Sequence, residues 1–259
     1  MIDPIRNFRR AFSVLSVAAV LFGNVPSARA EQAHREPHGD AAPAATPRGK
    51  HDATVRHSFD DVQHWVAMFD DPARDQWQKP AELVRALGIG AGMRVADLGA
   101  GTGYFSRYLS AAVGESGTVF AVDPEPNLVA HLRERAEREG TANVVPVLAS
   151  RENPRLPAAG IDLVLVVDTF HHIDDRPGYF RRLAGCLKPG GRVAIVDFKK
   201  EDLPVGPPLD HKLTRDQIVE EMQAAGYRLV AEPGLLPYQY ALIFGVPARA
   251  GDEPSKKTD

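Results

Sequence analysis

The chain has 259 residues, 44% of them hydrophobic, and a formal net charge of -3. That length holds one ordinary α/β domain once both ends are set aside, and so even a charge balance supplies no strong field for nucleic acid or anionic lipid. The single cysteine, Cys186, excludes an internal disulfide and a multi-cysteine metal centre; it falls in an apolar helical pattern and is expected as a buried, inert thiol.

The N-terminus reads MIDPIRNFRR, then AFSVLSVAAVLFGNV, then PSARA ahead of Glu31. A basic segment, a short apolar run and an A-x-A site in that order predict a secretory signal peptide cleaved after Ala30. The run from Ala11 to Val25 is shorter than the about 20 residues of a membrane helix. No stable span is therefore expected after cleavage, and an uncleaved membrane tether is the alternative. Arg9 and Arg10, followed by Ala11 and Phe12, resemble a twin-arginine export motif, although Phe8 stands where that motif prefers a hydroxyl residue. Both the twin-arginine and the general secretory route stay open, each leading to the periplasm. Residues 31–57 are rich in Ala, Pro, His and charged residues without apolar periodicity and are expected as a disordered linker. Their histidines, 34, 38, 51 and 57, could bind a transition metal, but irregular spacing on such a segment favours a solvated linker. The folded domain is expected over 58–247, followed by a disordered tail over 248–259.

Within the domain, apolar runs of strand length alternate with helical patterns, which predicts a parallel sheet with crossover helices. MRVADL, 93–98, is the first strand. A helix follows from about Thr102 with Phe105, Leu109 and Val113 on one face, then TVFAVD, 118–123, as the second strand. The next helix starts near Pro126, stacks Leu128, Leu132 and Ala136, and stops at Gly140. NVVPVL is the third strand and IDLVLVVD, 161–168, the fourth and most apolar, as a central strand covered on both faces should be. A helix carrying Phe180, Leu183 and Leu187 is expected to end at the Lys-Pro-Gly-Gly turn, before RVAIVDF as the fifth strand. Thr214 and Gln217 match a capping box for a last helix closed by Gly226. YRLVAE and QYALIFGV are then expected to pair as an antiparallel hairpin.

The informative segment is VADLGAGTGYF, Val95 to Phe105, where a strand runs straight into a glycine loop and then a helix. Gly99, Gly101 and Gly103 remove side chains where a turn is tight and a ligand touches backbone. Their spacing is G-x-G-x-G, with Tyr104 where the dinucleotide fingerprint places its last glycine, which counts against a nicotinamide oxidoreductase. Asp97 puts a carboxylate beside the loop that would repel a pyrophosphate but can orient a cationic amino-acid moiety. Asp123 ends the second strand, where a carboxylate can accept both hydroxyls of a ribose.

DLGAGTG followed by an acidic residue at the end of the second strand resembles motif I and its partner in class I S-adenosylmethionine-dependent methyltransferases. DTFHHI and LKPGGRVAIVDF are similar to the fourth and fifth strand signatures of that superfamily, nearest to bacterial proteins related to the ubiquinone/menaquinone C-methyltransferase group. The resemblance covers roughly Trp77 to Val246. It implies a Rossmann-like α/β fold, a seven-stranded, mostly parallel sheet in the order 3-2-1-4-5-7-6 with strand seven antiparallel and helices on both faces. It also implies S-adenosylmethionine as cofactor, held by Asp97, Gly99, Ala100, Gly101 and Gly103, with Asp123 on the ribose and Pro124 beside it. Relatives commonly carry an acidic residue after the third strand for the adenine amino group. This chain has Ser150 there, so Ser150 or a backbone carbonyl must substitute.

Methyl transfer from a sulfonium is an in-line displacement that chiefly needs alignment and, for some acceptors, removal of a proton. Ligands of open α/β sheets lie beyond the carboxyl ends of the strands, which puts Asp168, Thr169, Phe170, His171 and His172 at the mouth of the site. Asp168 is a candidate for positioning cofactor or acceptor. Either histidine is a candidate general base, and each can equally well pack beneath the loop or cap the next helix. Asp197, Phe198 and Lys199 end the fifth strand on the same edge, and His211 and Lys212 are the polar residues of the proline-rich stretch 204–214. Trp65, Phe69 and Trp77 suit a lid or simple core packing. Asp168, His171, His172 and Asp197 include metal-binding residue types, but the transfer needs no metal and none is expected. The reading is a methyltransferase for an unidentified small molecule; the alternative is an exported binding or scaffold protein that kept the fold without the activity.

Overall fold

The structure is a computed structural model that describes residues 59–246. The expected signal peptide, linker and tail lie outside the described residues. One sheet organises the domain, with strand order β3-β2-β1-β4-β5-β7-β6. The strands are β1 (Arg94–Leu98), β2 (Thr118–Asp123), β3 (Val144–Leu148), β4 (Ile161–Val167), β5 (Leu187–Phe198), β6 (Arg228–Ala231) and β7 (Gln239–Gly245). The first five pair in parallel, whereas β7 runs antiparallel to both β5 and β6. This is the order and hand of pairing that the resemblance implied.

Helices α3 (Pro80–Ala86), α4 (Tyr104–Val113), α5 (Pro126–Glu139), α6 (Arg176–Leu183) and α7 (Arg215–Ala224) complete the layers. Successive β4 side chains alternate between two cores. Val164 and Val166 join Phe180, Ile218 and Phe244 on one face, and Leu163 and Leu165 join Leu83, Leu109 and Ile243 on the other. That double cover is why β4 reads as an unbroken apolar run. The Thr214–Gln217 capping box opens α7 as expected.

The region after α6 differs from the sequence expectation. The helix ends at Leu183, a 3-10 turn spans Ala184–Cys186, and Leu187 already begins β5 opposite Ile161. Leu187 keeps the helical spacing from Leu183, but its burial comes from pairing at the sheet, and the Lys-Pro-Gly-Gly segment lies inside the strand. Cys186 is consequently half-buried at a turn, its Sγ 3.7 Å from the Leu156 carbonyl, with burial pushing its thiol up.

Two further helices precede the sheet, α1 (Val62–Phe69) and α2 (Arg74–Gln78). Trp65 packs between Phe59 and Phe69, with ring centroids at 4.8 and 5.3 Å. Trp77 stands against Phe198 and Tyr238, at 5.7 and 6.1 Å, which lays this segment over the carboxyl edge of the sheet.

Candidate functional site

β1 delivers its last residues into the turn Gly99–Gly103, where all three glycines have positive φ, +76°, +57° and +90°. A Cβ on Gly99 would stand 2.2 Å from the Thr169 hydroxyl, and one on Gly103 would stand 2.8 Å from Leu132. At Gly99 both the backbone conformation and the close approach of the β4 loop therefore demand glycine. The Gly99 and Ala100 amides both donate to the Val122 carbonyl, at 2.9 and 3.0 Å, stitching the loop to β2.

Asp123, at the end of β2, is buried and fixed by this loop. Its Oδ2 accepts the Gly101 amide at 2.9 Å and its Oδ1 accepts the Glu125 amide at 2.9 Å. Burial pushes its carboxyl up to about 6, a rise opposed by those two backbone bonds. Asp97 is also buried and accepts from the Ser106 hydroxyl at 2.7 Å. Burial raises it to about 6, with the Ser106 bond pulling the other way. Ser106 was not a sequence candidate; it sits one turn into α4, facing back toward β1.

Beside this loop lies a cavity of about 180 Å³ whose wall includes Leu98, Gly99, Val122, Pro124, Ala149, Ser150, Thr169 and His172. The Ser150 hydroxyl accepts the Asn153 amide at 3.1 Å, so a tight turn presents it at the rim with its own proton available for donation. Glu152 and Asp174 stand on the same wall and place carboxylates there.

Across the loop, the end of β4 carries a second cluster. Asp168 has φ +52°, an uncommon conformation for a residue with a side chain. Its carboxylate accepts from Gln239 at 2.5 Å and Gln78 at 3.1 Å, with Arg74 at 3.8 Å. Burial and repulsion by Asp197 push it up to about 6, against the pull of Arg74 and His171. The two histidines part company here. His171 Nδ1 lies 2.9 Å from both oxygens of Asp197, and the two side chains are only 5% and 2% exposed. Asp197 is held in turn by the Phe198 amide at 2.8 Å. Burial would lower the His171 imidazole, but the Asp197 bond and the charges of Asp197 and Asp168 outweigh it and the net direction is up. His172 instead lies at the surface on the cavity wall, its ring centroid 4.2 Å from that of His171.

Asp97, Gly99, Ala100, Gly101, Gly103, Asp123, Pro124, Ser150, Asp168, His171 and His172 thus come together along one sheet edge. Lys212 does not reach it with its charge: the residue is buried, its Nζ donates to the Glu201 carbonyl at 2.9 Å, and it packs over Phe198. Gln78, Gln239 and Arg74 belong to the site without having been singled out in the sequence. Gln239 alone had a readable signal, as the polar opening residue of an apolar strand whose reversed direction starts it at the edge where the parallel strands end.

A methyltransferase domain family matches residues 95–191. The ubiquinone/menaquinone biosynthesis C-methyltransferase UbiE of Cronobacter sakazakii is 31% identical over 154 residues, 56% of this chain and 60% of that protein. The UbiE of Vibrio campbellii is 29% identical, covering 65% of this chain and 68% of its own length. This chain therefore spans somewhat under two thirds of the first relative and slightly more of the second. The crystal structure of a SAM-dependent methyltransferase from Aquifex aeolicus superposes with a TM-score of 0.68 at 28% identity, covering 71% of this chain and 97% of the other. Together with the sheet order and the glycine loop already described, these likenesses support a class I S-adenosylmethionine-dependent methyltransferase domain, similar to the ubiquinone/menaquinone C-methyltransferases.

Proposed function

We propose that this protein transfers the methyl group of S-adenosylmethionine to a small-molecule acceptor. The observation that carries the reading is the Asp123 carboxylate, bound once through each oxygen to backbone amides beside an apolar cavity. Each oxygen keeps a second lone pair, so the group suits a vicinal diol such as a ribose. Pro124, Val122 and Ala149 suit the flat face of a base, and the buried carboxylate of Asp97 with the half-buried one of Asp168 suits a cationic amino-acid end. The residues present therefore fit this cofactor, which when bound supplies an electrophilic methyl group.

The chain's own part is to bind, to exclude water and to handle a proton. Asp197 holds His171 through Nδ1, which leaves Nε2 as the basic nitrogen. A base anchored in this way suits acceptors that lose a proton on methylation. Asp168 lies between this pair and the glycine loop and positions ligand. His172, on the cavity wall, contributes to cofactor contact. The relatives' names point to aromatic acceptors, so quinols and phenols head a screen, with thiols behind. Export is part of the proposal: cleavage after Ala30 would place the enzyme in the periplasm, where it needs a supply of a cofactor made in the cytoplasm.

Calorimetry of the protein with S-adenosylmethionine and S-adenosylhomocysteine tests the reading. Saturable binding of both is expected, and no measurable binding of either would overturn it. Mass measurement of the N-terminus of the protein recovered from its native cell tests export, with Glu31 expected as the first residue.

A further inference from the structure

Asp168 is gripped from two distant parts of the chain. Gln78 ends α2, 90 residues earlier, and Gln239 opens β7, 71 residues later. The Gln78 amide donates to Asp168 Oδ2 at 3.1 Å and to Gln239 Oε1 at 3.2 Å, while the Gln239 amide donates to Asp168 Oδ1 at 2.5 Å. Arg74 donates to Gln78 Oε1 at 2.6 Å, which turns the amide so that its NH2 end meets the carboxylate. The two glutamines are 0% and 2% exposed. Burying polar amides is unfavourable unless each is bonded, and here their bonds converge on one carboxylate at the site.

The same segment also covers the glycine loop. The Phe69 ring lies against Gly101, 3.4 Å from where a Cβ would stand. Asp70 accepts from the Thr102 hydroxyl at 2.8 Å and from Arg135 at 2.5 Å. Anything seated against the Gly101–Thr102 backbone therefore requires the end of α1 to lift and return, whereas the cavity beside Gly99 is lined by no residue of α1 or α2. We propose that Gln78 and Gln239 are positioning residues for Asp168, and that α1–α2 is a lid latched to the site through the Gln78–Asp168 bond. This rests on the reading of the Asp168 edge as the cofactor and acceptor site. Gln239 holds the carboxylate from the fixed sheet whether the lid is open or closed, whereas Gln78 leaves with the lid. The charged groups facing Asp168 are Arg74 on α2, His171 after β4 and Asp197 on β5; the first two favour its ionised form and the last opposes it.

The chain has two tryptophans, and Trp65 and Trp77 both lie on the lid, so tryptophan emission and its quenching by acrylamide read this segment alone. Gln78→Glu sets a second carboxylate against Asp168. At pH 7.5 the variant of the full chain should show red-shifted, more readily quenched emission and bind S-adenosylhomocysteine about tenfold or more weakly, the scale of a lost hydrogen bond to a charged group. At pH 5.5 one shared proton should restore both readouts toward wild type. Gln78→Ala should lose the latch at both pH values without that reversal, and Gln239→Ala should weaken binding while shifting the lid emission less than Gln78→Ala, since Gln78 loses its bond to Gln239 and keeps the one to Asp168. Wild-type emission and affinity in Gln78→Glu at both pH values would overturn the latch; should that variant not fold, the same result in Gln78→Ala would do so. Wild-type protein that binds no S-adenosylhomocysteine would overturn the reading of the site instead.

Discussion

The two halves of the site hold their carboxylates by different means. Beside the glycine loop, Asp123 is bound by backbone amides no more than 22 residues away, and Asp97 by Ser106, nine residues on. At the end of β4, Asp168 is bound by side-chain amides from 90 residues before and 71 residues after it, and Asp197 bonds His171 across 26 residues. The first half needs only the turn between β1 and α4 and its seam to β2. The second exists only when α2, β5 and β7 have met. On the proposed function, a binding half built from backbone is hard to alter without breaking the loop, while a chemical half built from side chains can be changed one group at a time.

The sharpest way to separate the halves is to remove the proposed base. His171→Ala is expected to lower turnover by about 10²–10⁴-fold while S-adenosylhomocysteine affinity stays close to wild type, because no cofactor contact is assigned to that ring. Asp197→Asn should move the acid limb of the pH–rate profile to lower pH, since the carboxylate is what holds the imidazole up. A rate unchanged in both variants would assign the chemistry to alignment alone. Measurement awaits the acceptor screen, and affinity can be read at once.

The reverse experiment strikes the binding half. Asp123→Ala should weaken cofactor binding by about 1.5–3 kcal/mol, the range for hydrogen bonds to a charged group, and calorimetry reads it directly. Gly99→Ala should be as severe by another route, through the clash with Thr169 and the positive φ. Adding Thr169→Ala should relieve the clash only in part, since the Cβ of residue 169 would still stand 2.9 Å from the new one, and the backbone strain, of order 1 kcal/mol, remains. If Gly99→Ala binds as well as wild type without that second change, the loop is not the rigid cradle described.

This contrast also accounts for what the amino-acid order made legible. The strand sequence, the glycine loop, Asp97 and Asp123 are local patterns, and the sheet order followed once they were matched to a family. Leu187 departs from the helix its spacing from Leu183 predicts, because its partner, Ile161, lies across the sheet. Nothing local marks Gln78 in the polar run RDQWQKP, since its role comes from a carboxylate brought to it by the fold. His171 and His172 are adjacent and chemically alike; only the position of Asp197 on the neighbouring strand divides a buried, anchored ring from one on the cavity wall.

The smallest expected effect concerns stability and pH, and it weighs both halves together. Asp97, Asp123 and Asp168 are each raised to about 6 by burial, above the ordinary carboxylate value of about 3.9 that the unfolded chain would show. A raised folded value means that the native state binds the proton more tightly, so between about pH 4 and 6 it holds more protons than the unfolded state and stability falls as pH rises. His171 acts in the same sense: its value is raised on folding, so its contribution is present below the ordinary histidine value and is lost as pH climbs through the folded one. Asp162, lowered mainly by Lys188 against its burial, has the opposite sign but acts only at and below the ordinary carboxylate range. Without ligand, the melting temperature is therefore expected to be higher at pH 5.5 than at pH 7.5, with about 2–4 °C for each kcal/mol in a domain of this size. Asp97→Asn should raise the value at pH 7.5 and flatten part of the slope. Affinity for the cationic cofactor should run the other way, rising through about pH 6 as Asp97 and Asp168 ionise. Differential scanning fluorimetry across this window gives the slope, and a melting temperature that rises with pH in the absence of ligand would show that the three carboxylates are not held against their charge.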